Sequence, residues 1–480
     1  KMKIVLVLLI VCLAIVAVVH ARSINHAKVH AQKMQAYAKS LGAKADPPLK
    51  EQWFKSQMQD HFDPLNTNTF PQKFFVNDKY YKIGAPVFLY INGEAPLVGQ
   101  AIQYGELAII AAQHSGLIVS LENRYFGNSI PTKDLSTENL KYHVVPQYLA
   151  DLAWFQKWLT TSLTLTGPWV VVGGSYSGAT APWYRIKYPH LVVAGYGSSG
   201  VVNPLLHLPQ YAKVIEQDIN EVPGCHAAFS EVMKSINGYL AQGVTGANTL
   251  QKDFNICQTG YEILADTMTF FFDITNPMIG AAQYGYQKDF CSTLMKAGSS
   301  PYNNYIKMFV DNFPSNQPST ECSDIDWITQ NQNISFPVSE GDRSWFWMKC
   351  STFGFFKTQN GLWLPELTFD YLQGACAKVF GDVAAMPNVA WTAQEYGADK
   401  PAGDKILFVG GSNDPYSPCD VNPINSTAIP GQPHLYIYQG SHCKDLDQAS
   451  PTDSIYVKNV RKQAEQYIST WIAQAYTRKA

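Results

Sequence analysis

The chain has 480 residues, 46% of them hydrophobic and 15% charged, with a formal net charge of −2 and nine cysteines. That length and balance supply a large buried core, point to more than one compact unit, and exclude a disordered chain. Residues 1–46 hold seven of the 36 basic residues and one of the 38 acidic ones; the remainder is therefore at net −8, which argues against nucleic acid as a partner.

In chain order, Lys1-Met2-Lys3, the sixteen apolar residues Ile4–Val19 and the small residue Ala21 read as a signal peptide over 1–21. The apolar run is shorter than the roughly 20 residues that cross a bilayer, so no stable membrane span is expected after cleavage. Residues 22–46 are Lys- and Ala-rich and read as a basic arm or propeptide, either helical or loose. From Pro86 the pattern alternates. Short apolar runs at Pro86–Ile91, Gly116–Leu121, Trp169–Val172 and Leu191–Ala194 predict parallel strands covered on both faces, and Pro146–Leu159 predicts a helix between them. After Asn203-Pro204 the strand rhythm stops for nearly two hundred residues, in a segment with helical spacing that holds six cysteines. Strands return at Lys405–Gly411 and His434–Tyr438, and a closing helix starts near Asp453 as its cap. The expected fold is a doubly wound α/β sheet, residues 47–203 and 396–480, with a mainly helical, disulfide-containing cap inserted at 204–395.

The densest chemical signal is Gly173-Gly174-Ser175-Tyr176-Ser177-Gly178, directly after the run Trp169–Val172. A strand that turns sharply into a helix through small residues projects one serine hydroxyl above the sheet. Ser175 has Gly173 two before and Ser177 two after, a better register than one centred on Ser177. A serine hydroxyl is a weak nucleophile, so it needs a base and the base needs an orienting carboxylate. Asp414 follows the strand ending at Gly411 and His442 follows the strand ending at Tyr438, the order Ser, Asp, His that α/β-hydrolases use, so an α/β-hydrolase sheet is the expected form. The expected oxyanion donors are the backbone N–H of Tyr176 and one from the loop at Gly93. Each residue also has a plain reading, His442 as a loop histidine and Asp414-Pro415 as a turn opener. The three in order favour catalysis.

Other chemistry is thin. No C-x-x-C, paired Cys/His spacing or H-E-x-x-H string occurs, so no metal and no cofactor is expected. With Cys12 in the signal, eight cysteines remain, an even set suited to disulfides in an oxidising compartment, and a bond between Cys419 and Cys443 would clamp the loops of Asp414 and His442. Asn333 and Asn425 head sequons for glycosylation.

Several longer strings resemble a known family, the lysosomal prolyl carboxypeptidase, dipeptidyl-peptidase II and thymus-specific serine protease group. Asp60-His61-Phe62 with Thr69–Asp78 is similar to its opening D-H-F…T-F-x-Q-R-Y run, with Lys73 for Arg. Glu122–Pro131 resembles E-H-R-Y-Y-G-x-S-x-P, and Gly173–Gly178 resembles G-G-S-Y-x-G with Ser175 at the nucleophile position. Asp414 and His442 fall on the remaining triad positions. Trp345–Gly354 resembles W-x-[YW]-Q-x-C-T-E-F-G, but Met348 replaces Gln and Thr352 replaces Glu, while Gly197-Ser198-Ser199-Gly200 departs from an A-S-x-A-P-type string. The resemblance implies an α/β-hydrolase with a helical cap and peptidase activity favouring proline near the scissile bond.

The expected function is a serine-type exopeptidase acting on short peptides in the lysosome or outside the cell, with Glu94, Trp347, Met348 and Thr352 shaping the substrate pocket. Peptide substrates are the expected partners and a homodimer the candidate assembly. The competing functions are a carboxylesterase or lipase on the same fold and a catalytically silent binding protein.

Overall fold

Among the described residues of the computed structural model (26–312, 322–335, 341–358, 367–384, 386–421 and 430–477), eight strands form one mixed sheet. They are β1 (Gln52–Met58), β2 (Thr69–Asn77), β3 (Val87–Ile91), β4 (Leu117–Leu121), β5 (Trp169–Gly174), β6 (Ala194–Ser198), β7 (Ile406–Gly411) and β8 (His434–Ile437), in the order β1-β2-β4-β3-β5-β6-β7-β8. β1 and β2 run antiparallel to each other and β2 antiparallel to β4; from β4 to β8 every pairing is parallel. This is the α/β-hydrolase sheet. The central strands β3, β4, β5 and β6 are buried at every position, as strands with helices on both faces are.

The helices α1 (His26–Leu41), α2 (Glu106–Gln113), α3 (Val145–Ser162), α4 (Tyr176–Lys187), α5 (Asp342–Met348), α6 (Val389–Tyr396) and α7 (Ile455–Thr477) belong with the sheet in one compact unit, residues 25–206, 333–354 and 386–480. Pro146 sits in the first turn of α3, where its missing N–H costs nothing. Val457, Val460, Ala464, Ile468 and Trp471 of α7 join Val170, Val172, Leu407 and Val409 of the sheet in one apolar core. The α7 cap is Ser454, whose hydroxyl accepts from Val457 N, because Asp453 is engaged by Arg461 at 2.7 Å. Helical spacing placed the start correctly and the capping residue one position early.

Two sequence expectations shift. β6 lies at Ala194–Ser198, downstream of the expected Leu191–Ala194, and it contains Gly195 and Gly197, whose lack of side chains is required by packing. A Cβ on Gly197 would lie 2.3 Å from Gly178 O of α4. The expected 204–395 insertion is also interrupted. Helices from Gln210 to Asn331 and from Phe369 to Phe380 form a second unit, residues 207–332 and 355–385, but 333–354 belongs with the sheet. The reason is aromatic packing: Trp345 and Phe353 each lie 5.5 Å from the ring of Tyr176 at the start of α4.

The helical unit has its own core, in which Phe229, Phe254 and Phe290 surround Tyr305 at ring separations of 5.4, 6.3 and 6.2 Å. Disulfides Cys225–Cys291 and Cys257–Cys322 close loops of 66 and 65 residues, each about 4 kcal/mol in the chain-entropy model. Asn425 and residues 1–21 lie outside the described residues.

Candidate active site

Ser175 occupies the turn between β5 and α4 with φ 62 and ψ −123, a region that residues with a Cβ rarely adopt. The local sequence makes this turn because its neighbours are small. A Cβ on Gly173 would lie 2.1 Å from Ser177 O, and one on Gly178 would lie 2.2 Å from Ser198 O. Ser177 does more than stay small: its hydroxyl accepts from Gly174 N at 3.1 Å and donates to Gly174 O at 2.8 Å, tying the turn to the strand. Gly200, whose Cβ would lie 2.4 Å from Gly178 O, completes the crossing, so the departure at 197–200 serves close approach of α4.

Asp414 and His442 come from the loops after β7 and β8. His442 Nδ1 lies 2.8 Å from both Asp414 carboxylate oxygens, and both residues are 1% exposed. Asp414 Oδ1 also accepts from Tyr416 N at 2.9 Å, and the Tyr416 ring lies 5.3 Å from the imidazole. A carboxylate on Nδ1 fixes the tautomer that leaves Nε2 as the basic nitrogen. Because β5, β6, β7 and β8 are consecutive parallel neighbours, Ser175, Asp414 and His442 all leave the carboxyl edge of one sheet, where ligands bind in open α/β folds.

The loops are joined by hydrogen bonds. Ser175 N donates to Ser198 O at 2.9 Å, Cys443 N to Ser199 Oγ at 2.8 Å, and Asn413 N to Gly440 O at 2.9 Å. Cys419 and Cys443 are free, buried thiols whose pKa values burial pushes up, so the expected bond between them is absent and these backbone contacts take its place.

The loop at Gly93 leaves β3 and is firmly held. Tyr148 Oη donates to Asn92 O at 2.8 Å, and Asn92 Nδ2 donates to Ala95 O at 2.7 Å. Glu94 is 2% exposed, and burial pushes its carboxyl up to about 8, so it is neutral at pH 7. It lies near Tyr176 and Tyr416, the neighbours of Ser175 and His442, and only when ionised does its charge oppose loss of their phenolic protons.

The other expected pocket residues sit on α5 and just after it. Trp347 Nε1 donates to His143 O at 3.2 Å, Met348 is fully buried, and Thr352 O accepts from Thr392 Oγ1 at 3.2 Å. Trp345 and Phe353, within the same string but not singled out from it, are the residues that touch Tyr176. Their signal was the aromatic density of Trp345-Phe346-Trp347. Asn333 is exposed, its side chain accepting from Ser335 N at 2.8 Å.

The remaining motif residues build the support behind the site. Arg124 clasps Asp151 with Nε at 2.7 Å and Nη2 at 2.6 Å, while His61 Nε2 meets the same carboxylate at 2.8 Å. Glu122 takes Lys73 at 2.7 Å, Ser129 Oγ at 2.6 Å and Leu97 N at 2.8 Å, anchoring the segment after the Gly93 loop. A buried ion pair persists only when its remaining lone pairs are satisfied, as here.

A sheet of this order, with a strained serine turn at its carboxyl edge and a histidine–aspartate pair on the following loops, defines an α/β-hydrolase of the serine enzyme class. The chain belongs to the family described as Serine carboxypeptidase S28, whose model matches residues 57–464, and it is a serine peptidase. It is 28% identical over 480 residues to thymus-specific serine protease of Mus musculus, covering 92% of each chain. The human thymus-specific serine protease is 28% identical over 475 residues, covering 92% of this chain and 90% of that one. Lysosomal Pro-X carboxypeptidase of Bos taurus is 25% identical over 458 residues, covering 88% of both.

Proposed function

We propose that this peptidase is an exopeptidase working through an acyl-enzyme on Ser175, with His442 as base and Asp414 as its orienter. The observation that carries the reading is the contact of His442 Nδ1 with both oxygens of Asp414, on the sheet edge where Ser175 is held in a strained turn. His442 Nε2 takes the Ser175 proton as Oγ attacks the scissile carbonyl, then returns it to the leaving amine. Tyr176 N–H and the Gly93 loop receive the oxyanion, and water repeats the sequence to release the acyl product.

The preference for proline-containing peptides and the carboxypeptidase direction are supported by the name of the bovine Pro-X carboxypeptidase. The same relative, and the signal peptide read at 1–21, support a lysosomal or secreted protein, with Asn333 and Asn425 as its glycosylation sites. Glu94, Trp347, Met348 and Thr352, joined by Trp345, shape the pocket.

The test is a panel of proline-containing peptides blocked at the amino end, at the carboxyl end or at neither, together with a short-chain ester. Cleavage that survives amino-end blocking and is lost on amidation of the carboxyl end supports the carboxypeptidase. Ester hydrolysis without peptide cleavage would overturn the proposal.

A further inference from the structure

We infer that α1, from the basic arm, is a retained part of the working enzyme, and that Lys33 is a positioning residue for His442 acting through Asp447. The inference rests on His442 being the base. The sequence alone leaves this Lys-rich arm either helical or loose. In the structure it is a docked helix: Met34 is 1% exposed, Ala31 7% and His30 3%, with the His30 ring 5.8 Å from Tyr90 of β3 and Tyr37 edge-on to Tyr104 at 5.3 Å. Loss of α1 would bare the rings of Tyr90 and Tyr104 that this face covers.

The polar contact goes to the histidine loop. Lys33 Nζ lies 3.0 Å from both carboxylate oxygens of Asp447, five residues after His442, with side chains 13% and 12% exposed. Burial pushes Asp447 up, but Lys33 and Lys444 outweigh it and hold the carboxyl below its usual range. Between His442 and Asp447 the chain is one tight turn, with Lys444 N donating to Ser441 O and Leu446 N to Cys443 O. A shift at Asp447 therefore reaches the imidazole through a short, stiff path.

Every other side of the turn is already held. Arg461 of α7 donates to the carbonyls of Lys444, Asp445 and Asp447 at 3.0, 2.8 and 2.9 Å. Asp445 accepts from Tyr196 Oη at 2.5 Å and Ser198 Oγ at 2.6 Å of β6. On the α2 side, Glu106 N donates to Leu446 O at 3.2 Å, and Gly105, at φ 89, has no room for a Cβ, which would lie 2.9 Å from that carbonyl. The α1 clamp closes the side that α7, β6 and α2 leave to it. Removing Lys33 leaves a buried carboxylate without its main partner, and the turn moves to find water.

The experiment compares wild type, Lys33→Met, Asp447→Asn and Lys33→Arg for kcat, KM, thermal midpoint and the rate of fluorophosphonate labelling of Ser175. A displacement of about 1 Å at a catalytic group costs up to ~10²-fold, so Lys33→Met and Asp447→Asn are expected to lower kcat and the labelling rate by about tenfold or more. KM stays within about threefold, and Lys33→Arg keeps most of the rate, because the pair is preserved. Wild-type protein that does not label at all sinks the Ser175 and His442 assignment instead. Labelling of Lys33→Met at the wild-type rate overturns the positioning role. If Lys33→Met and Asp447→Asn fail to fold, loss of rate in Lys33→Arg equal to that in His442→Ala overturns it as well. Finally, amino-terminal sequencing that finds the fully active enzyme beginning after Lys44 overturns retention of α1.

Discussion

Replacing Ser175 by glycine and by alanine separates the strain of the turn from its chemistry. Both variants lose the hydroxyl and all turnover. They differ in backbone cost, because φ 62 with ψ −123 suits glycine and disfavours any residue with a Cβ. Such a conformation stores about 1–3 kcal/mol, against which glycine gives up about 0.5–1 kcal/mol of chain entropy, so Ser175→Gly comes out more stable than Ser175→Ala by about 1–2 kcal/mol. The sheet-bearing unit has roughly 300 residues, and at about 2.1 cal/mol/K of unfolding entropy per residue the glycine variant melts about 2–3 °C above the alanine variant. Scanning calorimetry of the two purified proteins measures the difference. At ordinary helix or strand positions the order is the reverse, so an alanine variant as stable as the glycine one would refute the strained turn.

Asp414→Asn presents the wrong hydrogen-bonding group to His442 Nδ1, and kcat should drop by about 10⁴-fold with KM nearly unchanged, measured on the best peptide of the panel. Gly178→Ala places a Cβ 2.2 Å from Ser198 O and should cost about 1–3 kcal/mol in denaturant titration together with most activity, whereas Gly238→Ala, with nothing within 4 Å, should be neutral or stabilising. Glu94 has a folded pKa raised by burial to about 8, above its unfolded value, so the folded state binds the extra proton and stability is lost as pH rises from about 4.5 through 8. Glu94→Gln should remove that decline, and parallel stability–pH curves for the two proteins would count against it. Cys419 and Cys443 should resist alkylation in the native protein and react after denaturation without reductant; a linked 419–443 peptide in mass spectrometry would restore the bond that the structure lacks.

What the sequence made legible is what local pattern controls. The strands at Val87–Ile91, Leu117–Leu121 and Trp169–Gly174 are apolar runs, interrupted only by Ser120 and closed by glycines, and the turn at Ser175 is written in its small neighbours. Asp414 and His442 were found by order along the chain, and they meet because adjacent parallel strands deliver them to one edge. β1 and β2 were not read as strands because their buried positions include Gln57, Gln72 and Lys73. Those side chains are stable there through long-range partners: Gln57 Nε2 to Gln72 Oε1 at 2.7 Å, Gln72 Nε2 to Glu122 O at 2.8 Å, and Lys73 to Glu122 at 2.7 Å. The docking of α1 was hidden for the same reason, since Lys33 finds Asp447 more than four hundred residues away. Trp345 was hidden among other aromatics, and only packing distinguishes it from Trp347.

The most direct test of the central claim is peptide mapping of the native protein after reaction with a fluorophosphonate. The account predicts a single adduct on Ser175, formed by wild type and lost in His442→Ala. An adduct on a different serine, or peptidase activity that survives Ser175→Ala, would contradict it.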